Sequence, residues 1–309
     1  MNRQSVEASS KGKSFFRVSC SSASADKELC LKAPAKLNLY LNISGKRRDG
    51  FHEISSIMER VSLFDQLRLA LSKTSSIRLF CDQKELNNES NLAFKAASLI
   101  KNKFRIRRGL DIILKKNIPQ GSGLGGASSD AAAVILGLNK LFRLNLSLRQ
   151  LFLLGRLLGS DVNFFLSGAK FALAKGRGDR IYPIKSSLKL KHLLIFTGQI
   201  ISTKQIYKAF SLQLTRYIDN AKLIAYGIEK KDWDLLGRLL FNSLTKPYLE
   251  VSAKGRSLFR ALSKIENCPF FLSGSGSTIS VLLNRPGLES LVKRGLEKLR
   301  VKTLQVVTF

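Results

Sequence analysis

The chain has few of the residues that metal centres and disulfide scaffolds require. Its 309 residues include only four cysteines and two histidines. The cysteines, at positions 20, 30, 81 and 268, show no Cys-x-x-Cys spacing. We therefore expect neither a zinc site nor a framework of disulfides, and a reducing compartment is the default expectation.

Long apolar runs are also missing. No uninterrupted stretch approaches the roughly 18 residues that a membrane helix needs, so we expect a soluble protein without a membrane partner. At 44% hydrophobic content the chain can nevertheless bury a full core. Its length favours two domains.

Acidic residues are scarce, with 22 against 52 basic residues and a net charge of +30. Such a chain attracts polyanions. No zinc finger, aromatic RNA-binding signature or heptad-linked basic helix accompanies the charge. We therefore expect nucleic-acid binding to be non-specific only. The sequence leaves the oligomeric state open.

Residues 1–30 are rich in serine, carry Lys11, Lys13 and Arg17, and show no sustained periodicity. This composition predicts a disordered extension. A serine-rich, basic N-terminus is also typical of a transit peptide, although Glu7 and Asp26 are unusual there. We expect a cytoplasmic protein, or a plastid protein if residues 1–30 are a transit peptide.

The most informative stretch is Pro119-Gln-Gly-Ser-Gly-Leu-Gly-Gly-Ala-Ser-Ser129, here called the glycine loop. It lies between an apolar strand, Asp111–Leu114, and the buried helix that begins near Ala131. Its four glycines allow positive φ and close backbone approach to a ligand. Ser128 or Ser129 is the predicted helix cap. A loop of this kind at the positive end of a helix dipole suits a phosphate chain.

The glycine loop fits neither of the two commonest nucleotide motifs. A dinucleotide fingerprint requires an acidic residue about 20 positions further on, and residues 140–150 contain none. A Walker motif requires a lysine where Ala127 stands. The companion motifs of protein kinases are absent too.

The pattern Pro-x-Gly-x-Gly-Leu-Gly-Gly-x-Ser-Ser closely resembles the nucleotide loop of the GHMP kinase superfamily. Ala33-Pro-Ala-Lys-Leu-Asn38 resembles the superfamily's first motif, on a strand whose alternation predicts one buried face. Phe271-Leu-Ser-Gly-Ser-Gly-Ser-Thr278 resembles the third motif. The three motifs stand in the right order.

Two further stretches resemble the diphosphocytidyl-methylerythritol kinases within this superfamily. Gly45 to Glu53 is similar to the segment in which an aromatic–histidine pair binds cytosine, with Phe51 in place of the commoner tyrosine. Gly159-Ser-Asp-Val-Asn-Phe-Phe165 is similar to the segment that carries the catalytic aspartate, with Asn163 in place of proline. The stretch Asn242-Ser-Leu-Thr245 lacks both acids of the family's usual Asn-Asp-Leu-Glu.

The resemblance implies an α/β (α+β) two-domain GHMP kinase fold with the active site in the interdomain cleft. A nucleotide-loop domain would cover residues 31–183 and a second α+β domain residues 184–309. The implied reaction is transfer of the ATP γ-phosphate to the 2-hydroxyl of 4-diphosphocytidyl-2-C-methyl-D-erythritol. The alternatives are a GHMP-type kinase for another small alcohol and a non-enzymatic, basic RNA-associated protein on the same scaffold.

The resemblance also assigns roles. Asp161 would be the catalytic base, and Lys36 would keep it ionised and stabilise developing negative charge. The residues implied in ATP binding are Asn91, Pro119, Gln120, Gly121, Ser122, Gly123, Leu124, Gly125, Gly126, Ala127, Ser128 and Ser129. Those implied in substrate binding are Asn38, Phe51, His52, Thr203 and Tyr207. Ser128 or Ser129 would supply a hydroxyl beside a Mg²⁺ ion.

Several of these residues also have purely structural interpretations on sequence alone. Asn91 and Asp161 each stand where a helix N-cap is expected. Tyr207 fits the edge of a core equally well, and a lone histidine such as His52 is more often structural than functional.

Overall fold

The computed structural model describes residues 17–18, 28–210 and 219–309. The strands are β1 (Arg17–Val18), β2 (Glu28–Lys46), β3 (His52–Ser72), β4 (Ile77–Cys81), β5 (Gly109–Lys115), β6 (Phe171–Gly176), β7 (Arg180–Ile184), β8 (Lys191–Phe196), β9 (Phe241–Asn242), β10 (Phe270–Leu272), β11 (Ile279–Leu282) and β12 (Lys302–Val307). The helices are α1 (Leu92–Lys103), α2 (Gly126–Leu141), α3 (Leu148–Leu158), α4 (Val162–Leu166), α5 (Thr203–Ala209), α6 (Ala221–Lys230), α7 (Trp233–Leu239), α8 (Thr245–Val251), α9 (Ala253–Ser263) and α10 (Leu288–Leu296).

The first sheet is organised around the long antiparallel pair β2 and β3. One half of β3 pairs with β6, and its other half pairs with β5. The β2–β3 register shifts at three places, including one between Asn38 and Tyr40. Such bulges bend a strand and redirect its side chains. Helices α1 to α4 cover this sheet and form an apolar core with it.

The second sheet has the order β10-β11-β8-β12, and all its pairs are antiparallel. Helices α8, α9 and α10 pack against one of its faces. A further core, which includes Leu37, Leu194 and Ile224, joins the two sheets. Strand β9 pairs in parallel with β2 and so connects the later part of the chain to the first sheet.

Strand β2 is buried on both faces, which differs from the half-buried strand that its alternation predicts. The polar positions Lys36, Asn38 and Asn42 are only 2–4% exposed. Part of the reason is a backbone hydrogen bond of 2.9 Å from the Lys36 N–H to the Leu124 carbonyl, which lays the glycine loop against the strand. The polar face of β2 therefore lines an interior site.

Helix α2 begins earlier than the sequence predicts. Its N-cap is Gly125, in the left-handed region at φ 72°, where glycine is favoured. The predicted cap, Ser128 or Ser129, is therefore wrong, because both serines lie within the first turn of the helix. Helix α3 is confirmed, and Ser147 caps it with a reciprocal Gln150 bond.

The segment 219–242 contains two helices, α6 and α7. Lys231 takes φ 59° at the end of α6, and the Asp232 side chain then accepts the Leu235 N–H to cap α7.

The predicted extension 1–30 is partly inside the described chain. Glu28, Leu29 and Cys30 already belong to β2, and the two residues of β1 pair with Leu31 and Cys30. The rest of that prediction, at 1–16 and 19–27, lies outside the described residues. Cys81 and Cys268 are free cysteines. Within the described chain, no helix combines the length and apolar character needed to cross a membrane.

Candidate active site

A cavity of about 740 Å³ lies where β2, the glycine loop, α4 and α5 meet. We call it the central cavity. Of the residues predicted from the sequence to form the site, those that line it are Lys36, Asn38, Phe51, His52, Asn91, Pro119, Gln120, Gly121, Ser122, Gly123, Leu124, Gly125, Gly126, Ala127, Ser128, Asp161, Thr203 and Tyr207. Ser129 is the exception, because it is fully buried within α2. Residues that lie up to about 240 positions apart in the sequence therefore share one cavity.

The carbonyl groups of the glycine loop are occupied by other parts of the protein. The Gly121 and Ser122 carbonyls accept hydrogen bonds from Ser277 and Thr278, at 3.3 and 3.1 Å. The Ser273 hydroxyl donates to the Gly123 carbonyl at 3.2 Å. These donors all belong to the loop 273–278 between β10 and β11, which we call the third-motif loop. With its carbonyls held in this way, the glycine loop can present N–H groups to an anion in the central cavity.

Two glycines of the loop are required by close packing against protein. A Cβ atom on Gly123, which has φ 75°, would lie 2.1 Å from the Ser273 carbonyl oxygen. A Cβ atom on Gly125 would lie 3.0 Å from the Lys36 side chain. The sequence interpretation assigned the glycines to close approach of a ligand. At Gly123 the close neighbour is the third-motif loop.

Lys36 and Asp161 form the charged centre of the cavity. The Lys36 ammonium lies 3.5 Å from the Asp161 carboxylate, with side chains 5% and 25% exposed. Lys36 also donates to the Asn38 side-chain oxygen, and the Asn38 amide donates to the Ser56 hydroxyl at 2.8 Å. Asp161 precedes α4, but its side chain makes no capping hydrogen bond. The N-cap interpretation of its side chain is therefore wrong, and its carboxylate faces Lys36.

An aromatic cluster forms one end of the central cavity. The His52 and Tyr207 rings lie 4.9 Å apart at 37°, and Phe51 is 49% exposed beside them. Burial, with the charge of Lys46, lowers the pKa of His52. Burial, with the charge of Asp161, raises the pKa of Tyr207 to about 12. Both rings are therefore neutral near pH 7, as suits the stacking of an uncharged base.

The structure confirms one of the two predicted roles of Asn91, that of helix cap. Its side-chain oxygen accepts the Ala93 N–H at 2.9 Å, which caps α1, and its amide donates to the Leu86 carbonyl at 3.0 Å. It also lines the central cavity. Of the two serines predicted beside a metal ion, Ser128 lines the cavity and Ser129 does not.

Sequence reasoning missed four polar or charged residues at or beside this site. Lys116 and Asp130 line the cavity. So does Arg177, whose guanidinium lies 5.1 Å from the centre of the Phe51 ring. Asn242 donates to the Leu272 and Gly274 carbonyls at 2.8 and 2.7 Å, which holds the third-motif loop. No local pattern in the sequence indicates what these side chains contact.

Comparison with known proteins agrees with this geometry. The GHMP kinases N terminal domain matches residues 91–169, and the GHMP kinases C terminal family matches residues 224–300. A protein of Prochlorococcus marinus (strain MIT 9215) named 4-diphosphocytidyl-2-C-methyl-D-erythritol kinase is 36% identical, over 82% of this chain and 85% of its own. One of the same name from Shouchella clausii (strain KSM-K16) is 36% identical, over 86% and 89%.

Solved structures give the same result. A crystal structure of 4-(cytidine 5'-diphospho)-2C-methyl-D-erythritol kinase superposes with a TM-score of 0.71 at 30% identity, covering 91% of this chain and all of that one. The homoserine kinase from Cytophaga hutchinsonii reaches the same TM-score at 17% identity, covering 94% and 97%, and so shares the fold. The two-domain GHMP kinase fold expected from the sequence is confirmed. The chain belongs to the 4-diphosphocytidyl-2-C-methyl-D-erythritol kinase family of the GHMP kinases.

Proposed function

We propose that the protein transfers the γ-phosphate of ATP to the 2-hydroxyl of 4-diphosphocytidyl-2-C-methyl-D-erythritol, a step in the non-mevalonate synthesis of isoprenoid precursors. One observation carries the proposal. The Lys36–Asp161 pair lies in a single cavity that the glycine loop lines together with the aromatic cluster of Phe51, His52 and Tyr207. This arrangement brings together a loop that can bind a triphosphate, a carboxylate that can act as general base, and aromatic rings on which a nucleobase can stack.

The proton transfer is assigned to Asp161. Its carboxylate would accept the proton of the attacking hydroxyl while the new oxygen–phosphorus bond forms and the bond from the γ-phosphorus to the bridging oxygen of ADP breaks. Lys36, 3.5 Å away, would favour the ionised carboxylate and stabilise negative charge that develops on the transferred group. Asn38 would orient the Lys36 ammonium through their hydrogen bond.

The glycine loop would bind the triphosphate through its backbone N–H groups, with Asn91 and Pro119 to Ala127 forming the surrounding wall. Ser128 fits a Mg²⁺ site, because this ion is commonly held by one or two protein oxygens together with substrate phosphates. When bound, the ion would neutralise phosphate charge. In the substrate half, Phe51 and Tyr207 would stack on the cytosine, His52 would contact its polar edge, and Thr203 would line the acceptor side.

The division into residues 31–183 and 184–309 is part of the same proposal. Strands β2 to β7 build the first sheet, whereas β8 and β10 to β12 build the second. Strand β9 alone among the later described strands joins the first sheet. The glycine loop would then belong to the first domain, and Thr203, Tyr207 and the third-motif loop to the second.

The proposal is tested by incubating the protein with ATP and the cytidylyl substrate. We expect ADP to form only when the acceptor is present, and phosphorus NMR to show a new phosphomonoester on the 2-hydroxyl. Asp161→Asn serves as the control and should form almost none of this product. Release of ADP that does not depend on the acceptor, or phosphate on another hydroxyl, would overturn the assignment.

A further inference from the structure

Three ionisable side chains are buried beside the glycine loop, and the proposed function uses none of them. The exposed fractions of the Asp65, Lys116 and Asp130 side chains are 0%, 4% and 3%. The Lys116 ammonium donates to an Asp130 oxygen at 2.7 Å and to an Asp65 oxygen. We call these residues the ionic triad.

The ionic triad contacts the glycine loop at both of its ends. The second Asp65 oxygen accepts the Asn117 and Ile118 N–H groups at 2.6 and 2.8 Å, just before the loop begins. Asp130 follows the last residue of the loop, in the first turns of α2. Lys116 connects the two carboxylates, so β3, the start of the loop and the start of α2 are held together.

Lys116 differs from an ordinary phosphate-binding lysine in that its charge is already used. It lines the central cavity, yet its ammonium group already donates hydrogen bonds to the side chains of Asp65 and Asp130. Breaking a buried charge pair leaves an uncompensated charge and is costly. Lys116 is therefore not free to leave its partners for a phosphate.

We propose that Asp65, Lys116 and Asp130 are positioning residues for the nucleotide, which fix the spacing between the two ends of the glycine loop so that its N–H groups converge on the phosphates. The inference rests on the proposed function. Its physical basis is preorganisation: a loop fixed before binding loses less conformational freedom when the nucleotide binds, and small displacements of binding groups are expensive.

A second buried polar network provides a matched control. The Glu59 carboxylate contacts the His192 ring at 2.9 Å and accepts the Thr308 hydroxyl at 2.5 Å. Glu59 and His192 are fully buried, and none of the three residues lines the central cavity. Substitutions there lower stability without reaching the glycine loop.

The test measures binding of a non-hydrolysable ATP analogue by calorimetry, the KM for the acceptor and the Tm. The variants are Asp65→Asn, Lys116→Met and their double mutant, with Lys116→Arg if Lys116→Met does not fold and Glu59→Gln as the control. We expect each single change in the triad to weaken analogue binding about tenfold or more and to leave the acceptor KM within about threefold. The double mutant should bind no more weakly than the worse single mutant, because the two residues act as one unit.

Glu59→Gln should lower the Tm and leave analogue binding unchanged. The inference is overturned if the triad variants lower the Tm in the same way but bind the analogue as tightly as wild type, because the triad would then have a purely structural role. It is also overturned if Lys116→Met weakens analogue binding and Asp65→Asn does not, because Lys116 would then contact the phosphates directly. A wild-type protein that fails to bind the analogue would contradict the proposed function instead.

Discussion

The two ends of the central cavity are built in different ways. We call the end at the glycine loop, where we propose that ATP binds, the nucleotide end, and the end at the aromatic cluster, where we propose that the substrate binds, the acceptor end. The glycine loop is defined by backbone: its carbonyls bond to β2 and the third-motif loop, and buried charges flank it. The acceptor end is defined by side chains, with Phe51 half exposed and His52 packed on Tyr207. A phosphate chain can be bound by fixed N–H groups, whereas a particular base requires side-chain shape and stacking. We therefore expect that the choice of substrate can be changed at the acceptor end without altering the nucleotide end.

The largest effect is expected where the two ends meet. Asp161→Asn should lower kcat by roughly 10²–10⁴-fold, the usual contribution of a positioned general base. Binding of the ATP analogue and of the acceptor should both survive, because the amide preserves the shape of the side chain. Steady-state kinetics and calorimetry check this. A variant with near-normal kcat would show that Asp161 is not the base.

Gly123→Val should damage the nucleotide end. The added Cβ meets the Ser273 carbonyl oxygen at 2.1 Å, and φ 75° is unfavourable for valine. We expect ATP-analogue affinity to fall by about 100-fold or more and stability to fall by about 1–3 kcal/mol, as overpacking usually costs. Gly287→Val is a matched control, because Gly287 also has positive φ and no atom near its Cβ position, and it does not line the central cavity. Unchanged analogue binding by Gly123→Val would show that the phosphates do not bind at this loop.

Phe51→Ala should affect only the acceptor end. Loss of one stacking partner is worth about 0.5–1.5 kcal/mol, so the acceptor KM should rise up to about tenfold. The dissociation constant of the ATP analogue should stay the same. Phe80→Ala, another half-exposed phenylalanine that does not line the central cavity, is the control. If Phe51→Ala weakened acceptor binding and ATP-analogue binding equally, the two ends of the cavity would not be independent.

The smallest expected change in ligand binding is few-fold and concerns pH at the nucleotide end. Burial raises the pKa of Asp130 to about 8, with Lys116 opposing the rise and Asp65 adding to it. The folded protein therefore holds this proton more tightly than the unfolded chain, in which an aspartate has a pKa of about 3.9. The free energy of unfolding should consequently decline as pH rises from about 4 to 8 and lose no more from this group above that range.

Asp130→Asn should flatten that pH dependence. Above pH 8 it should also bind the ATP analogue a few-fold more tightly than wild type, because an ionised Asp130 adds negative charge beside the phosphates. Denaturant unfolding and calorimetry between pH 5 and 9 measure both effects. Parallel curves for the two proteins would show that Asp130 does not titrate in this range.

The sequence predicted those parts of the site that short motifs encode. The glycine loop could be proposed from its residues because closely spaced glycines before a helix suit a phosphate chain. Lys36 and Asp161 could be proposed because the segments around them resemble GHMP kinase motifs, and the structure brings them into the same cavity as the loop. The start of α1 could be found because asparagine is a common N-cap and Asn91 stands just before the helix. These are local signals.

Long-range contacts could not be predicted. The Asp65–Lys116 pair joins residues 51 positions apart, and Asn242 holds the third-motif loop 30 positions further on. No local pattern marks such partners. The burial of both faces of β2 escaped prediction for the same reason, because the glycine loop that covers Lys36 comes from a distant part of the chain.

The most direct test of the central claim is acceptor selectivity. Phosphate transfer from ATP should be measured with the cytidylyl substrate, its uridylyl analogue and plain methylerythritol. Stacking and recognition of the base at Phe51, His52 and Tyr207 predict that kcat/KM is highest for the cytidylyl substrate and lowest for methylerythritol. Equal values for the three acceptors would contradict the account, because the aromatic cluster would then have no part in choosing the substrate.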